Sequence, residues 1–368
     1  MSKITAIGTA NPPHRFKQSQ IADFMVKAMQ LNNEDTRKLR TVFKASGIEY
    51  RHSVLEDYGL DKDFTFYANT ADFEPFPTTS ERIGLFKEHA LNLSTQAVED
   101  MLLDVPGFDL QDISHVIAVS CTGLYAPGLD IDLAKKLGLA ENVQRTAINF
   151  MGCYAAFNAM KVADAFCFQD PEAKVLIVCT ELCSLHFQKL PTEDNMISNA
   201  LFADGAAAIL VEGRTNAKIK LIPQAFCTQL MVNSSQEMAW AIGDLGFEMK
   251  LSAYIPAIIK GGILSLANKL LGKVNKNIND IRYFAIHPGG RKILENIEKE
   301  LNLEKKQNHP AYHVLNNYGN MSSPTVLFVL DEIKKNLTPQ DHDEYIMSFA
   351  FGPGLTLESM LMKIEIDD

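Results

Sequence analysis

The chain has 368 residues, of which 46% are hydrophobic and 22% charged, a composition typical of an ordinary globular protein rather than a disordered or fibrous one. Its length exceeds the usual span of a single hydrophobic core and therefore predicts two packed halves. A formal net charge of −10 argues against nucleic acid as a main partner, because binding to phosphates favours a basic surface.

The sequence carries no recognisable targeting or membrane signal. Its first residues show neither a charged n-region nor a long apolar h-region, and no run of about 18 or more apolar residues occurs. We therefore expect no signal peptide and no membrane span. Six cysteines are ordinary usage for a reducing compartment, which predicts a cytoplasmic protein.

Short apolar strands alternate with helices along the first half of the chain. This alternation is typical of α/β architecture. In chain order we predict a strand at 3–13, helices at 19–31 and 34–46, a long aromatic loop at 60–82, a helix at 82–103, a strand at 114–122, a helix at 129–139, a strand at 145–150, a helix after Cys153, a strand at 174–181, a helix at 193–202 and a strand within 203–213.

The second half repeats this arrangement. Residues 203–212 and 352–365 each combine a glycine turn with a final strand, which indicates an internal duplication. With the junction placed at 214–221, we predict an N-terminal half at 1–215 and a C-terminal half at 216–368. The second half is predicted to contain a helix at 253–271, a strand at 281–290, helices at 291–301 and 324–335, and two strands separated by a glycine turn at 345–366.

Cys153 lies where a predicted strand gives way to a helix. At such a position the free backbone N–H groups and the helix dipole favour an anion, which would lower the pKa of a thiol. Gly152, Ala155 and Ala156 are small enough to let a ligand approach. The alternative is a buried structural cysteine, a common fate for a free thiol.

His287 and Asn320 occupy similar glycine-flanked junctions. His287 ends an apolar strand before Pro288 and two glycines, and Asn320 precedes a predicted helix. Individually they would be a packed histidine and a turn or cap residue. Together with Cys153 they form a possible nucleophilic set, of the kind that serves cysteine proteases and thioester-condensing enzymes. A papain-like protease is disfavoured, because its cysteine is expected near the mature N-terminus in a different context.

Other chemistries lack the motifs that they require. Cys179 and Cys183 form a single CxxxC with no second ligand pair, so we expect no metal. No GxGxxG pattern follows a strand and no GxxxxGK[ST] loop occurs, so we expect no dinucleotide or nucleotide site.

Six blocks of the sequence, spread over nearly the whole chain, carry a resemblance to a known family. The blocks are AIGTANPP, MGCYAAFNAM, ALFADGAAAILV, AIHPGGRKILENIEKEL, YGNMSSPTVLFVLDEI and FGPGLTLESM. In this order they resemble the type III polyketide synthases, the chalcone synthase-like family. The resemblance implies a thiolase fold, with two similar halves in a five-layered α-β-α-β-α sandwich, and a homodimer. It also implies a catalytic triad of Cys153, His287 and Asn320, with Phe202 as the gatekeeping residue beside the cysteine rather than a simple core aromatic.

The resemblance implies an acyltransferase that loads an acyl-CoA starter on Cys153. Iterative decarboxylative Claisen condensation with malonyl-CoA would then give pyrone, resorcinol or phloroglucinol-type products, with no metal or other cofactor. The enolate oxygen would be stabilised by His287 and Asn320. The turn carrying Gly352 and Gly354 is a candidate for the oxyanion hole, and Lys44 and Arg51 are candidates for binding the phosphates of coenzyme A.

The residues expected around the substrate differ from those of plant members. Met249 stands where a second phenylalanine is usual, and Trp240 where a glycine is usual. The run WAIGDLGFEM looks more like bacterial members, several of which use aliphatic starters. His186 fits equally well as a polar cavity residue or as a packed one. The expected pocket residues are Cys121, Thr122, Cys183, Leu185, His186, Trp240, Met249 and Ser322.

Two rival functions remain open. A ketoacyl synthase III would condense once, with malonyl carrier protein as donor. AIGTANPP, Phe202 and FGPGLTLES favour the polyketide synthase, and an acidic protein is a poor docking surface for an acidic carrier protein. A thiolase-fold binding protein without activity is the non-enzymatic alternative.

Overall fold

The computed structural model describes residues 1–234, 236–252 and 254–367, and the predicted α/β alternation is confirmed over these ranges. Within them the helices are α1 (Gln18–Ala28), α2 (Asn33–Ala45), α3 (Thr79–Leu102), α4 (Leu129–Lys136), α5 (Ala155–Gln169), α6 (Glu193–Leu201), α7 (Ile255–Gly272), α8 (Arg291–Leu301), α9 (His309–Tyr318) and α10 (Thr325–Lys335). The strands are β1 (Lys3–Ala10), β2 (His14–Lys17), β3 (Tyr50–Ser53), β4 (His115–Ser120), β5 (Gln144–Asn149), β6 (Lys174–Leu182), β7 (Asp204–Glu212), β8 (Ile219–Leu230), β9 (Met238–Gly243), β10 (Gly246–Leu251), β11 (Tyr283–Ile286), β12 (Tyr345–Gly352) and β13 (Thr356–Ile366).

The main sheet consists of two similar halves. The first has the strand order β5-β4-β6-β7-β1 and the second β8-β13-β12-β11, and Ile4 of β1 pairs with Leu221 of β8 where they meet. In the first half β4 and β6 are parallel, while β7 is antiparallel to both β6 and β1. The second half repeats this pattern with β11 and β12 parallel and β13 antiparallel to β12 and β8. The segments compared in the sequence therefore form the equivalent strands β7 and β13.

Helices cover both faces of each half. Alternate residues of β7 belong to two different cores: Ala208 and Leu210 pack on the side of α3, and Ile209 and Val211 on the side of α5. This sorting follows from the two-residue period of a strand. α10 contacts β1 of the first half and β11 of the second, so α5 and α10 form the layer between the halves. α7 packs on β8 and β13 as an outer layer.

Helix α7 is long and apolar enough to cross a membrane by length and composition alone, and 44% of the 18-residue window concerned is buried. Its apolar residues Ile259, Ile263 and Leu266 belong to the hydrophobic core. Its apolarity therefore serves the packing of the second half. The predicted first residue of this helix, Ala253, lies outside the described residues.

The structure differs from the sequence-based prediction in the start of one helix and in several elements that were not predicted. α3 begins before residue 82 because Thr78 caps it: its hydroxyl accepts from the Glu81 N–H, and the Glu81 carboxylate accepts from the Thr78 N–H. The strands β2, β3 and β8, the hairpin of β9 and β10, and the helix α9 were not predicted. The hairpin is partly exposed on both faces, which weakens the alternation that identifies a strand.

Candidate active site

Cys153 lies in a single helical turn, Gly152–Tyr154, between β5 and α5. Its side chain is buried, with 6% of the residue exposed. The sharp change of chain direction between β5 and this turn depends on Gly152, which has a φ of +77°. Its N–H donates to Cys121 Sγ at 2.9 Å. A Cβ on Gly152 would lie 2.2 Å from Pro353 Cδ, so no larger residue fits at this position.

The turn after β12 packs directly against the cysteine. A Cβ on Gly352 would lie 2.6 Å from Tyr154 Cδ1 and 3.2 Å from the Cys153 nitrogen, so Gly352 allows the two backbones to approach each other. A Cβ on Gly354 would meet only Thr356 Oγ1, at 3.8 Å. Of the two glycines predicted at the oxyanion hole, Gly352 therefore lies beside the Cys153 N–H and Gly354 does not.

His287 follows β11 and is almost completely buried, with 1% of the residue exposed. Its backbone N–H donates to the carbonyl of Phe349 at 2.8 Å, which fixes it to β12. Within the described residues, neither ring nitrogen has a hydrogen-bond partner. A buried imidazole with two free nitrogens is rare in a protein core, and it is a common state for a group that awaits a ligand.

Asn320 lies between α9 and α10 and faces both groups. Its Oδ1 accepts from the Ser322 N–H at 2.9 Å and lies 4.0 Å from Cys153 Sγ. Its Nδ2 lies 3.5 Å from the Gly289 carbonyl, on the side of the His287 turn. The Asn320 backbone is hydrogen-bonded to both chain neighbours of Phe202. Its N–H donates to the Leu201 carbonyl and its carbonyl accepts from the Ala203 N–H, both at 2.9 Å.

Burial opposes charge on both the thiol and the imidazole. It raises the pKa of Cys153 to about 12, although the side chains of Ser322 and Asn320 act in the opposite direction. It lowers the pKa of His287 to about 3. The sequence analysis expected the helix N-terminus to lower the pKa of Cys153. The structure gives the opposite direction, because desolvation of the buried thiol outweighs the nearby N–H groups.

A single cavity of about 910 Å³ joins the predicted groups. Its size is in the range of small-molecule sites, and its wall is largely apolar. The predicted residues that line it are Cys153, His287, Asn320, Phe202, Cys121, Thr122, Cys183, Trp240, Met249 and Ser322.

Trp240 and Met249 face each other across the hairpin of β9 and β10. The indole N–H of Trp240 donates to the Cys121 carbonyl at 2.9 Å, which ties the hairpin to the first half of the chain. Its ring lies 6.4 Å from that of Phe202, centroid to centroid. The hairpin therefore supplies one wall of the cavity.

Two predicted pocket residues do not line this cavity. Leu185 is fully buried, and its carbonyl accepts from Arg82. His186 accepts at Nδ1 from the Phe247 N–H at 3.1 Å and, at Nε2, lies 2.7 Å from the Thr122 carbonyl, to which it donates. Because burial also lowers the pKa of His186 to about 3, it is a neutral, packed histidine.

The predicted coenzyme A residues do not line the cavity either. Lys44 is exposed outside it, and Arg51 is buried, with 3% of the residue exposed. Basic residues do occur at the cavity, namely Arg37 and Lys38 of α2 and Arg291 and Lys292 of α8. On α2, Lys38 lies on the same helix face as the cavity residues Thr41 and Ala45, whereas Lys44 lies on a different face. The helical period of this segment therefore favours Lys38 over Lys44 as a cation at the cavity.

Glu181 was missed by the sequence analysis. Its fully buried carboxylate accepts from Ser323 Oγ at 2.7 Å, Thr122 Oγ1 at 2.8 Å and the Cys121 N–H at 2.9 Å. Burial raises its pKa. These hydrogen bonds connect β6 to the segments that carry Cys121 and Ser322. The sequence did contain a signal for a buried, hydrogen-bonded carboxylate, since Glu181 is the one acidic residue in the apolar strand KVLIVCTEL.

Among the residues that the structure describes, no group of three or more His, Cys, Asp or Glu side chains could hold a metal ion. The reactive groups that the cavity does contain are the buried thiol of Cys153, the imidazole of His287 and the amide of Asn320. This set can transfer an acyl group and stabilise an oxyanion.

The chain matches two family models. Residues 1–214 match the N-terminal domain of chalcone and stilbene synthases, and residues 223–365 match the C-terminal domain.

Curated relatives resemble nearly the whole chain. It is 32% identical over 371 residues to "Probable polyketide synthase 1" of Dictyostelium discoideum, covering 98% of this chain but only 11% of that much longer protein. It is 31% identical over 366 residues to "Alpha-pyrone synthesis polyketide synthase-like Pks18" of Mycobacterium tuberculosis, covering 98% of this chain and 91% of the relative.

Solved structures have the same fold. The C-terminal type III polyketide synthase domain of Steely1 from Dictyostelium matches with a TM-score of 0.90 and 31% identity, covering 98% of this chain and 99% of that one. PKS-I from the brown alga Ectocarpus siliculosus matches with a TM-score of 0.90 and 30% identity, covering 98% of both chains.

Proposed function

This chain belongs to the chalcone and stilbene synthase family of type III polyketide synthases, and from this premise we propose that it loads an acyl-CoA starter on Cys153 and extends it with malonyl-CoA. Its fold is thiolase-like, as the sequence predicted. The observation that carries the proposal is the meeting of Cys153, His287 and Asn320 in one cavity, where the imidazole nitrogens have no hydrogen-bond partner among the described residues.

Loading begins from a neutral pair. At pH 7 a thiol with a pKa of about 12 is almost entirely protonated, so Cys153 needs a base as it attacks the thioester carbonyl. His287 is neutral and accepts this proton. The carbonyl carbon then bonds to Sγ, its bond to the coenzyme A sulfur breaks, and the departing thiolate takes the proton from His287. The Cys153 N–H beside Gly352 stabilises the oxyanion of this step.

Extension requires an enolate. The malonyl carboxylate leaves as carbon dioxide, and its electron pair delocalises onto the thioester oxygen. A ring N–H of His287 and the Asn320 Nδ2 group donate to that oxygen. The enolate carbon attacks the acyl group on Cys153, a carbon–carbon bond forms, and Sγ leaves as a thiolate that takes up one proton from solvent to restore the thiol. Transfer of the longer chain back to Cys153 permits a further round.

We propose that the enzyme binds an acyl-CoA substrate both at its coenzyme A phosphates and along its acyl chain. We assign the phosphates of coenzyme A to Arg37, Lys38, Arg291 and Lys292 in place of Lys44 and Arg51, because these four residues lie at the cavity. The largely apolar wall favours an aliphatic starter. No metal or other cofactor enters this scheme.

The assembly proposed is a cytoplasmic homodimer. β5 is an edge strand of the main sheet, and residues such as Gln144 and Arg145 are exposed. An edge strand of this kind can pair with a second copy of the chain.

The test of the function is mass spectrometry of the products formed from malonyl-CoA and a panel of aliphatic and aromatic acyl-CoA starters. We expect pyrones or resorcinols that differ by successive acetate units, with aliphatic starters preferred. A single condensation, or activity only with malonyl carrier protein, would instead assign a ketoacyl synthase III reaction.

His287→Ala is expected to slow alkylation of Cys153 by iodoacetamide at pH 7 by about tenfold or more. Without the imidazole no base assists the buried thiol, whose pKa is about 12, and the rate should rise with pH up to about 10 without a plateau. Labelling is followed by peptide mass spectrometry, with His313→Ala, outside the cavity, as the control. Equal rates in the wild type and His287→Ala at pH 7 would contradict the role of base.

A further inference from the structure

A second, much smaller cavity of about 30 Å³ adjoins the main one. Cys183, Phe202, Trp240 and Met249 line both cavities, so these four side chains form the wall between them. One water molecule needs roughly 10–15 Å³, so the small cavity has room for about two waters or for one carboxylate group. It is too small to receive more than the end of a chain.

Arg51 lines this small cavity and has an unused donor. Its Nε donates to Gln18 Oε1 at 2.8 Å, and its Nη1 donates to the carbonyls of Asn199, at 2.8 Å, and Phe202. The Nη2 group is buried and has no partner among the described residues. A buried guanidinium with free N–H groups is costly unless an acceptor is supplied.

No neighbouring group meets this need in the described residues. Asp204 is the nearby acid, but its oxygens accept from Ser184 and from the Val54 N–H instead. Tyr58, which also lines the cavity, donates to the Ser184 carbonyl at 3.1 Å. Asp204 therefore interacts with Arg51 only through its charge, and the hydrogen bonds that Arg51 makes in the described residues go to neutral carbonyl and amide oxygens.

We propose that the small cavity is an end pocket in which Arg51 Nη2 binds the terminal carboxylate of an ω-carboxyacyl starter. A carboxylate supplies both the acceptor and the negative charge that the guanidinium lacks, and such charge-assisted hydrogen bonds are about twice as strong as neutral ones. The wall formed by Cys183, Phe202, Trp240 and Met249 separates the small cavity from that of Cys153, so the acyl chain would reach the end pocket across this wall. This inference rests on the proposed function, because it requires an acyl chain attached at Cys153.

The experiment compares starters of equal length that end in a methyl group or in a carboxylate: butyryl- with succinyl-CoA, hexanoyl- with adipoyl-CoA, and octanoyl- with suberoyl-CoA. The readout is the ratio of kcat/KM for the carboxylate to that for the methyl partner. We expect at least one carboxylate starter to be extended, and Arg51→Met to lower its ratio by about tenfold or more. A purely structural role for Arg51 would lower both rates and leave the ratio unchanged.

A second variant guards against a folding defect, because Arg51 also holds the backbone after α6. Trp240→Ala keeps the arginine and opens the wall, so we expect it to raise the same ratio. If methyl-ended starters are extended but no ratio depends on Arg51 or Trp240, the end pocket is refuted while the proposed function stands. If no starter of either kind is extended with malonyl-CoA, the proposed function fails and the end pocket fails with it.

Discussion

Cys153→Ala is expected to abolish acyl-enzyme formation and to lower product formation by about 10⁴-fold or more. The variant removes the atom to which the starter becomes attached, and no other thiol of the cavity can replace it. Burial raises the pKa of Cys121 and that of Cys183 well above the ordinary value, so each of these thiols, like Cys153, would need a base, and the proposal assigns the base His287 to Cys153. The acyl-enzyme is measured by intact-protein mass spectrometry after mixing with an acyl-CoA, and the product by turnover with malonyl-CoA.

The matched control for this variant is Cys227→Ser. Cys227 lies in β8 outside the cavity and is only partly buried, so its loss tests for non-specific thiol chemistry. It should leave both the mass shift of the acyl-enzyme and the turnover intact. Wild-type rates in Cys153→Ala would refute the mechanism, and a wild-type enzyme that never acquires the acyl mass would favour the binding-protein alternative.

Asn320→Asp is expected to slow malonyl-CoA decarboxylation by about 10²–10³-fold while starter loading changes far less. The substitution replaces the Nδ2 donor with an oxygen that carries negative charge, and this oxygen would repel the enolate as it forms. Loading places its oxyanion beside the Cys153 N–H instead. The two steps are separated by following carbon dioxide release from labelled malonyl-CoA and acyl-enzyme formation from the starter alone.

Asn317→Asp provides the control for this second variant. Asn317 is on the preceding helix α9, where its Nδ2 donates to the His313 carbonyl at 2.9 Å, and it does not line the cavity. The same change of amide to carboxylate should therefore leave decarboxylation close to the wild-type rate. Equal losses in loading and decarboxylation for Asn320→Asp would remove the enolate role assigned to this residue.

The catalytic proposal combines contributions from both halves of the chain. Cys153 precedes α5, and Asn320 shortly precedes α10, its counterpart in the middle layer, while His287 follows β11 of the second half. The glycines at 152 and 352 allow the turns from the two halves to meet at the nucleophile. Substitutions at either glycine would separate these turns, because the Cβ would overlap Pro353 or Tyr154.

The local pattern of the sequence was sufficient to predict most helices and strands and the three groups proposed for catalysis. Strands such as β6 and β7 are continuous apolar runs, and α3 and α8 have a clear helical period. Cys153, His287 and Asn320 each lie at a glycine-flanked junction, where a short-range signal marks the turn and a chemically reactive or polar side chain. These features depend on neighbours in the chain, so the sequence alone was sufficient to single out the three residues, and their catalytic role stays a prediction.

The wall and the mouth of the cavity were decided by the tertiary structure. Arg51 and Lys44 both look like surface cations in the sequence, but the alternation of β3 turns Arg51 inward against α6. His186 lines the small cavity rather than the main one, and Thr122 and Phe247, distant in sequence, satisfy its two ring nitrogens. Likewise, only the folded chain buries the Cys153 thiol, and this burial raises its pKa against the effect of the helix N-terminus. Burial and partner atoms are properties of segments far apart in the chain, and a local pattern does not contain them.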